Sequence, residues 1–403
     1  MMCRGRLSMA LLTFAVGCGG RVDRQGVGEP TASVGGGRST LGAATITDPD
    51  SGTASSSAEG PAAPAASGGP SGDTSVGTST SSLFPSCASG GAGMTNCGPG
   101  GSGTESCCTS LQVPGGTFYR DCSGAGCAQA SQATVSGLRI DKYEITVGRF
   151  RQFVNAAASG WLPASGSGKH VHLNGARGLA ESAGVSGAAY EMGWDSAWNT
   201  NLATTVAGWS ANLSCNGLAT WTSSPAANEN RPINCVDWYE VYAFCIWDDG
   251  FLPSDAEWNY AASGGGEQRF FPWSTPPGSE DIDCTFANYG GGANGLAGYC
   301  SPGGTNRVGS ESPKGDGKWG HADLGGNVWE WVLDTLSSGA CVDCANNSLP
   351  PSSPSTGSPG GDVVRVNRGG GLGAGFSLEA SSINDSPPTE RDIEQGARCA
   401  RAP

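Results

Sequence analysis

The chain has 403 residues, with 67 Gly, 24 Pro and only 14% charged residues, so it carries less globular core than its length would allow. Lys and Arg number 22 against 36 Asp and Glu, a formal net charge of −14. That excess of acid excludes a nucleic-acid partner, whose phosphates demand a basic face, and is compatible with cation binding or with simple solubility.

At the N-terminus Arg4 and Arg6 precede an apolar run, Met9-Ala10-Leu11-Leu12-Thr13-Phe14-Ala15-Val16, followed by Gly17-Cys18. A basic start, a short apolar stretch and small residues read as a secretory signal over residues 1–18, too short to span a bilayer. Ala15-Val16-Gly17-Cys18 resembles a bacterial lipobox, in which Cys18 would be lipidated; the alternative is an ordinary signal with an incidental cysteine. Gly19-Gly20, with no Asp after the cysteine, resembles outer-membrane sorting, so the expected location is the cell envelope, with a lipid anchor as the only membrane contact. Residues 19–82 are Gly, Ser, Ala, Thr and Pro with few large apolar side chains, and are expected to form a disordered tether.

Cys87, Cys97, Cys107, Cys108, Cys122 and Cys127 then crowd into residues 83–130 and read as a disulfide-stapled cap. Spacing does not select among their connectivities. A zinc knuckle is the rival reading, but the block contains no His. Elsewhere the three His and sixteen Cys form no metal-ligand spacing, and Cys341-Val342-Asp343-Cys344 has redox spacing without a redox setting. The export signal favours structural disulfides.

Strand-like alternation starts near Gly115-Thr117-Phe118-Tyr119 and resumes from Leu138 to Ile145. Thr146 is placed to cap a helix running through Phe150 and Phe153 to about Ala157. A long insertion follows, rich in Trp (Trp161, Trp194, Trp198, Trp209, Trp221), which predicts loops packed around aromatic rings. Asp237-Trp238-Tyr239-Glu240 is a capping box, and Trp238, Val241, Tyr242, Cys245 and Ile246 fall on one helix face. Ser254-Asp255-Ala256-Glu257 is a second box, with Trp258, Ala261 and Ala262 as the buried stripe of its helix. Regular patterning then fades, and the whole reads as an α+β domain dominated by loops.

One late stretch stands out, Gly325-Gly326-Asn327-Val328-Trp329-Glu330-Trp331. Two glycines permit a turn that a Cβ would block, and a carboxylate between two indoles needs either a cation or a set of donors.

Several blocks resemble, in order, the formylglycine-generating enzyme or sulfatase-modifying factor family. They are Asp141-Lys142-Tyr143-Glu144-Ile145-Thr146, Pro232-Ile233-Asn234-Cys235-Val236-Asp237-Trp238, Leu252-Pro253-Ser254-Asp255-Ala256-Glu257-Trp258, Pro272-Trp273, the 326–331 stretch and Arg368-Gly369-Gly370. The resemblance covers about residues 110–403 and implies the family's loop-rich variant of the C-type lectin fold. It also implies structural calcium on the carbonyls of Gly325, Gly326 and Val328 with the Glu330 carboxylate, oxygen ligands suited to a hard cation. A second family site would use Asn288 and Tyr289, although no carboxylate stands near Tyr299-Cys300. A Cys245–Cys399 disulfide is implied, and Cys215 with Cys235, Cys284 with Cys300 and Cys341 with Cys344 are the further expected pairs.

Catalytic members of the family hold Cu(I) with two cysteines shortly after an Arg-Gly-Gly-Ser block; soft sulfur selects that ion. Here Gly371 replaces the Ser, and Ala374 and Glu379 stand at the cysteine positions. No cysteine lies between Cys344 and Cys399, so copper is not expected and no catalytic residue is assigned. The iron-dependent sulfoxide synthases of the same family add a helical domain and His ligands that this chain lacks. The leading expectation is a surface-tethered recognition domain whose groove, rimmed by Trp331 and the loop ending at Gly371, takes an extended peptide or a glycan. The alternatives are a family enzyme with altered chemistry and an accessory subunit of an envelope complex.

Overall fold

Short-range signals set the helices. In the computed structural model, which describes residues 84–403 except 88–96, 104, 125, 128–129, 182–188, 291–299, 302–303, 337–338, 347–362 and 374–376, helix α1 (Val147–Ala158) begins where Thr146 accepts a hydrogen bond from Arg149 N. The signal, the tether, Cys18 and position 374 lie outside the described residues. Helix α3 (Trp238–Trp247) and helix α4 (Asp255–Ala262) both start with complete capping boxes, Asp237 with Glu240 and Ser254 with Glu257. Each box satisfies two N–H groups that a helix start leaves open.

The one-sided face expected for α3 is corrected. Tyr239, Glu240, Ala243 and Phe244 are buried along with Trp238, Val241, Tyr242 and Cys245 of the predicted stripe, while Ile246 stays partly exposed. The cause is position: Phe150 and Phe153 of α1 pack against Phe244 on one side. Trp194 and Trp198 from the insertion pack against Tyr242 and Trp238 on another. The insertion is indeed folded around its indoles, with Trp194, Trp198, Trp209 and Trp221 all buried. It also contains a helix that the patterning missed, α2 (Val206–Asn212), capped by Thr205.

Among the described residues twelve short strands form four small sheets. Strands β1 (Ser110–Val113) and β4 (Leu138–Asp141) pair antiparallel, and β12 (Ala400–Arg401) joins β4, so the chain end closes against its first strands. Strand β2 (Gly116–Tyr119) pairs with β3 (Gln132–Val135), and β3 pairs with β7 (Cys341–Val342). Strand β5 (Ala180–Glu181) pairs with β8 (Cys344–Ala345). The central sheet has the order β10 (Ile383–Ser386), β9 (Arg365–Arg368), β6 (Trp329–Trp331), β11 (Gln395–Gly396). It holds the tryptophan-flanked carboxylate in its interior strand: Glu330 is opposite Arg368 on β9 and beside Gly396 on β11.

Disulfides tie these loops together. Cys245–Cys399, Cys215–Cys235, Cys284–Cys300 and Cys341–Cys344 pair as expected. The cysteine-rich segment resolves into Cys87–Cys108, Cys97–Cys107 and Cys122–Cys127. The Cys245–Cys399 bond closes a loop with a sequence separation of 154. The double variant Cys245→Ala/Cys399→Ala is expected to lose about 3–5 kcal/mol, because the unfolded chain regains the entropy of that loop. Denaturant unfolding under non-reducing conditions measures it, and a loss under about 1 kcal/mol would contradict the entropic account.

Candidate functional site

The turn at residues 325–327 is made by close approach. A Cβ on Gly326, whose φ is +92°, would lie 2.7 Å from the Asn288 carbonyl oxygen, so this turn admits only glycine. Asn327 follows with φ +65°, a left-handed conformation that Asn tolerates better than most residues. Its side chain makes three hydrogen bonds. Nδ2 donates to Glu144 Oε2 at 2.7 Å, and Oδ1 accepts from Asn306 N at 2.8 Å and Asn288 Nδ2 at 3.2 Å.

Glu330 then finds its partner at the far end of the sequence. Arg398 donates from Nε to Glu330 Oε2 at 2.7 Å and from Nη2 to Oε1 at 2.6 Å, a bidentate pair with both side chains buried. The indole of Trp258 adds a third bond to Oε2 at 2.8 Å. The remaining Arg398 donors reach the carbonyls of Asp141, Lys142 and Ala322. Guanidinium and indole donors thus satisfy this carboxylate from within the protein.

Around the pair, buried acid exceeds base. Burial pushes the Glu144 carboxyl well above its usual range, and the charges of Asp323 and Glu330 push it further. Burial raises Asp323 to about 8, with Glu311 nearby adding to the rise. Glu144 Oε1 and Asn288 Oδ1 are buried acceptors without a partner among the described residues. None of the described residues form a group of three or more His, Cys, Asp or Glu placed to hold a metal ion.

The groove assignment needs correction at one residue. Trp331 is 0% exposed and its indole donates to Val236 O at 3.2 Å, so it packs in the core and cannot line a groove. Strand alternation explains the error only in part, since Trp329 and Trp331 share one face of β6. It is Trp329, the first residue of the strand, that keeps partial exposure. Gly371 does lie beside it: a Cβ there would come 2.9 Å from Trp329 Cδ1 and 2.7 Å from Glu394 Oε2. A Cβ on Gly373 would come 2.2 Å from Glu394 Oε1.

Glu394 was not singled out in the sequence. It is half-buried against this loop, and burial raises its carboxyl above the usual range, the Gly373 N–H pulling the other way and Asp392 adding to the rise. Its carbonyl also accepts from Trp329 N at 2.5 Å. The signal that could have found it is its place two residues before Gly396-Ala397-Arg398-Cys399.

His170 is not a free metal ligand. Its Nδ1 lies 2.9 Å from Glu191 Oε2 and its Nε2 lies 3.0 Å from Glu257 Oε2. Every cysteine from Cys87 to Cys399 is in a disulfide.

Among the described residues, four small sheets, capped short helices and a carboxylate clamped on the strand that ends the Gly-Gly-Asn-Val-Trp-Glu-Trp stretch define a loop-rich α+β domain. The family model for the sulfatase-modifying factor enzyme 1-like domain matches residues 99–403, and the chain belongs to that FGE-sulfatase family. It is 26% identical over 288 residues to the formylglycine-generating enzyme of Mus musculus, covering 68% of each chain. It is 30% identical over 312 residues to that of Streptomyces coelicolor, covering 72% of this chain and 88% of the relative. A shorter match, 31% over 101 residues, covers 25% of this chain and 32% of the inactive C-alpha-formylglycine-generating enzyme 2 of Bos taurus.

Proposed function

We propose that this chain is a recognition module of the FGE-sulfatase family that does not oxidise cysteine, held at the cell envelope by a lipid on Cys18 and a flexible tether. The observation that carries this reading is the lack of a thiol pair at the family's copper position. Ala374 and Glu379 stand in the sequence where the chemistry needs sulfur, and the remaining cysteines of the domain are in disulfides. The Glu394 carboxylate fills the space beside Gly371 and Gly373. Oxygen ligands of this kind do not select Cu(I). The half-buried Trp329 and the backbone of the 371–373 loop are then left to contact an extended peptide or a glycan.

Incubating the purified chain with Cu(I), oxygen and a cysteine-containing sulfatase peptide is expected to yield no aldehyde by mass spectrometry. Stoichiometric conversion would overturn the reading. A second reading, a family enzyme with changed chemistry, draws on the raised Glu394 carboxyl, which is of the kind that serves as a general acid. Activity lost in Glu394→Gln would favour it.

Calcium belongs to the same proposal as a structural ion on the carbonyls of Gly325, Gly326 and Val328 and an open lone pair of Glu330, with Asn288 at the second site. The surplus of buried carboxylate and the unpartnered Asn288 oxygen support it. At saturating calcium the stabilisation is expected to be about 3 kcal/mol, and calorimetry in EDTA against calcium reads it as a fall in Tm. An unchanged Tm would show that protonation alone neutralises these acids.

A further inference from the structure

A second cleft, away from the Trp329–Gly371 groove, lies between the outer face of α1, the start of α2 and the turn at residues 221–225. Its volume is about 370 Å³, towards the lower end of the range of small-molecule sites. We propose that it binds a neutral pyranose, as the end of a surface glycan.

The chemistry of the walls points that way. Gln152 and Asn155 are three residues apart on α1 and therefore project from the same face. Among the described residues neither amide side chain makes a hydrogen bond, and the exposed Ser223 and Ser224 hydroxyls across the cleft make none either. Four uncommitted polar groups, each able to donate and accept, suit a ring of sugar hydroxyls. The exposed Val206 and Pro225, with the rim of the largely buried Trp221, supply carbon surface for the C–H face of the sugar.

The wall is also rigid and uncharged. Arg151 stacks 4.4 Å from the centre of the Trp221 ring. It pairs with Glu229 through Nε at 3.0 Å and Nη2 at 2.6 Å, and donates to Thr222 O at 2.7 Å. The Trp221 indole is fixed from its other end, donating to Ser210 Oγ at 3.1 Å. With Arg151 neutralised by Glu229, the cleft offers nothing to a phosphate or a carboxylate. A fixed platform lowers the ordering cost of binding, which matters most for a small weak ligand. A peptide is disfavoured because the cleft is bounded by helix faces and a turn and presents no strand edge for backbone pairing.

Saturation-transfer NMR on the full chain, with N-acetyl-D-glucosamine, cellobiose and N-acetylneuraminic acid as probes, tests this. One of the two neutral sugars is expected to receive saturation and the acidic sugar is not. Gln152→Ala/Asn155→Ala should weaken binding by about tenfold or more with an unchanged melting curve, because neither amide supports the fold. Glu394→Gln should leave sugar binding intact. The proposal fails if no neutral sugar binds, if the double variant binds as well as the parent chain, or if a neutral tripeptide such as Gly-Ser-Gly competes with the sugar. Loss of binding in Glu394→Gln alone would move the sugar to the Trp329–Gly371 groove, sinking this site while sparing the groove reading.

Discussion

Arg398→Gln is expected to destabilise the domain by about 3–5 kcal/mol, the range for removing one partner of a buried ion pair. The substitution strips Glu330 of two of its three bonds and leaves its charge beside Glu144 and Asp323, which already crowd one another. It also strands the carbonyls of Asp141, Lys142 and Ala322, and so loosens the junction of β4 with the segment leading into β6. Urea unfolding followed by tryptophan fluorescence would show a lower midpoint at an unchanged slope. The double variant Glu330→Gln/Arg398→Gln should recover part of the loss, because two amides leave no bare charge in the core. A single-variant loss under about 1 kcal/mol would mean that water or a cation takes the place of the guanidinium, and the clamp account would fail.

The legible part of this fold was written locally. Both capping boxes lie within four consecutive residues, and the structure contains both. The tryptophan-rich insertion was readable as packed loops because indoles of that size seldom stay in water, although its own short helix α2 gave no strong signal. The core clamps were not legible. Glu330 and Arg398 are 68 positions apart, and Arg368 and Asp255 are 113 apart. Arg149, buried at 0% exposure, joins Asp141 to Asp248, which in turn meets Arg401. In a sequence each of these charges looks like surface, since arginine and aspartate are rarely buried unless paired and the pairing is long-range. The same gap misled the groove. Two tryptophans on one face of a three-residue strand are equivalent by pattern, and only the neighbouring chains decide that Trp331 sits in the core while Trp329 reaches the loop carrying Gly371.

The second large effect is expected at His170, and it should appear as pH dependence. Burial alone would lower its pKa, but the carboxylates of Glu191 and Glu257 outweigh that and raise it to about 10. Glu257 is shifted the opposite way: burial would raise it, and the imidazolium of His170 holds it low. The folded chain therefore keeps a proton that an unfolded histidine releases near its ordinary value. The resulting stability is full below an unfolded pKa of about 6.5 and declines by about 1.4 kcal/mol per unit until pH passes about 10. Across that window the loss is on the order of 3–5 kcal/mol. His170→Gln should be destabilised by a similar amount at pH 6, because Glu191 and Glu257 lose the cation between them, and its stability should vary less between pH 7 and 10. What breaks first follows from position. His170 binds Glu191 within the insertion and Glu257 in the first turn of α4, and its ring lies 3.8 Å from that of Phe251. Its deprotonation frees the insertion from α4 before the central sheet is touched. Hydrogen exchange at about pH 10.5, above the folded pKa, should thus show residues 166–181 and 189–194 losing protection while β6 and β9 keep theirs, and equal loss in both would refute a local clamp.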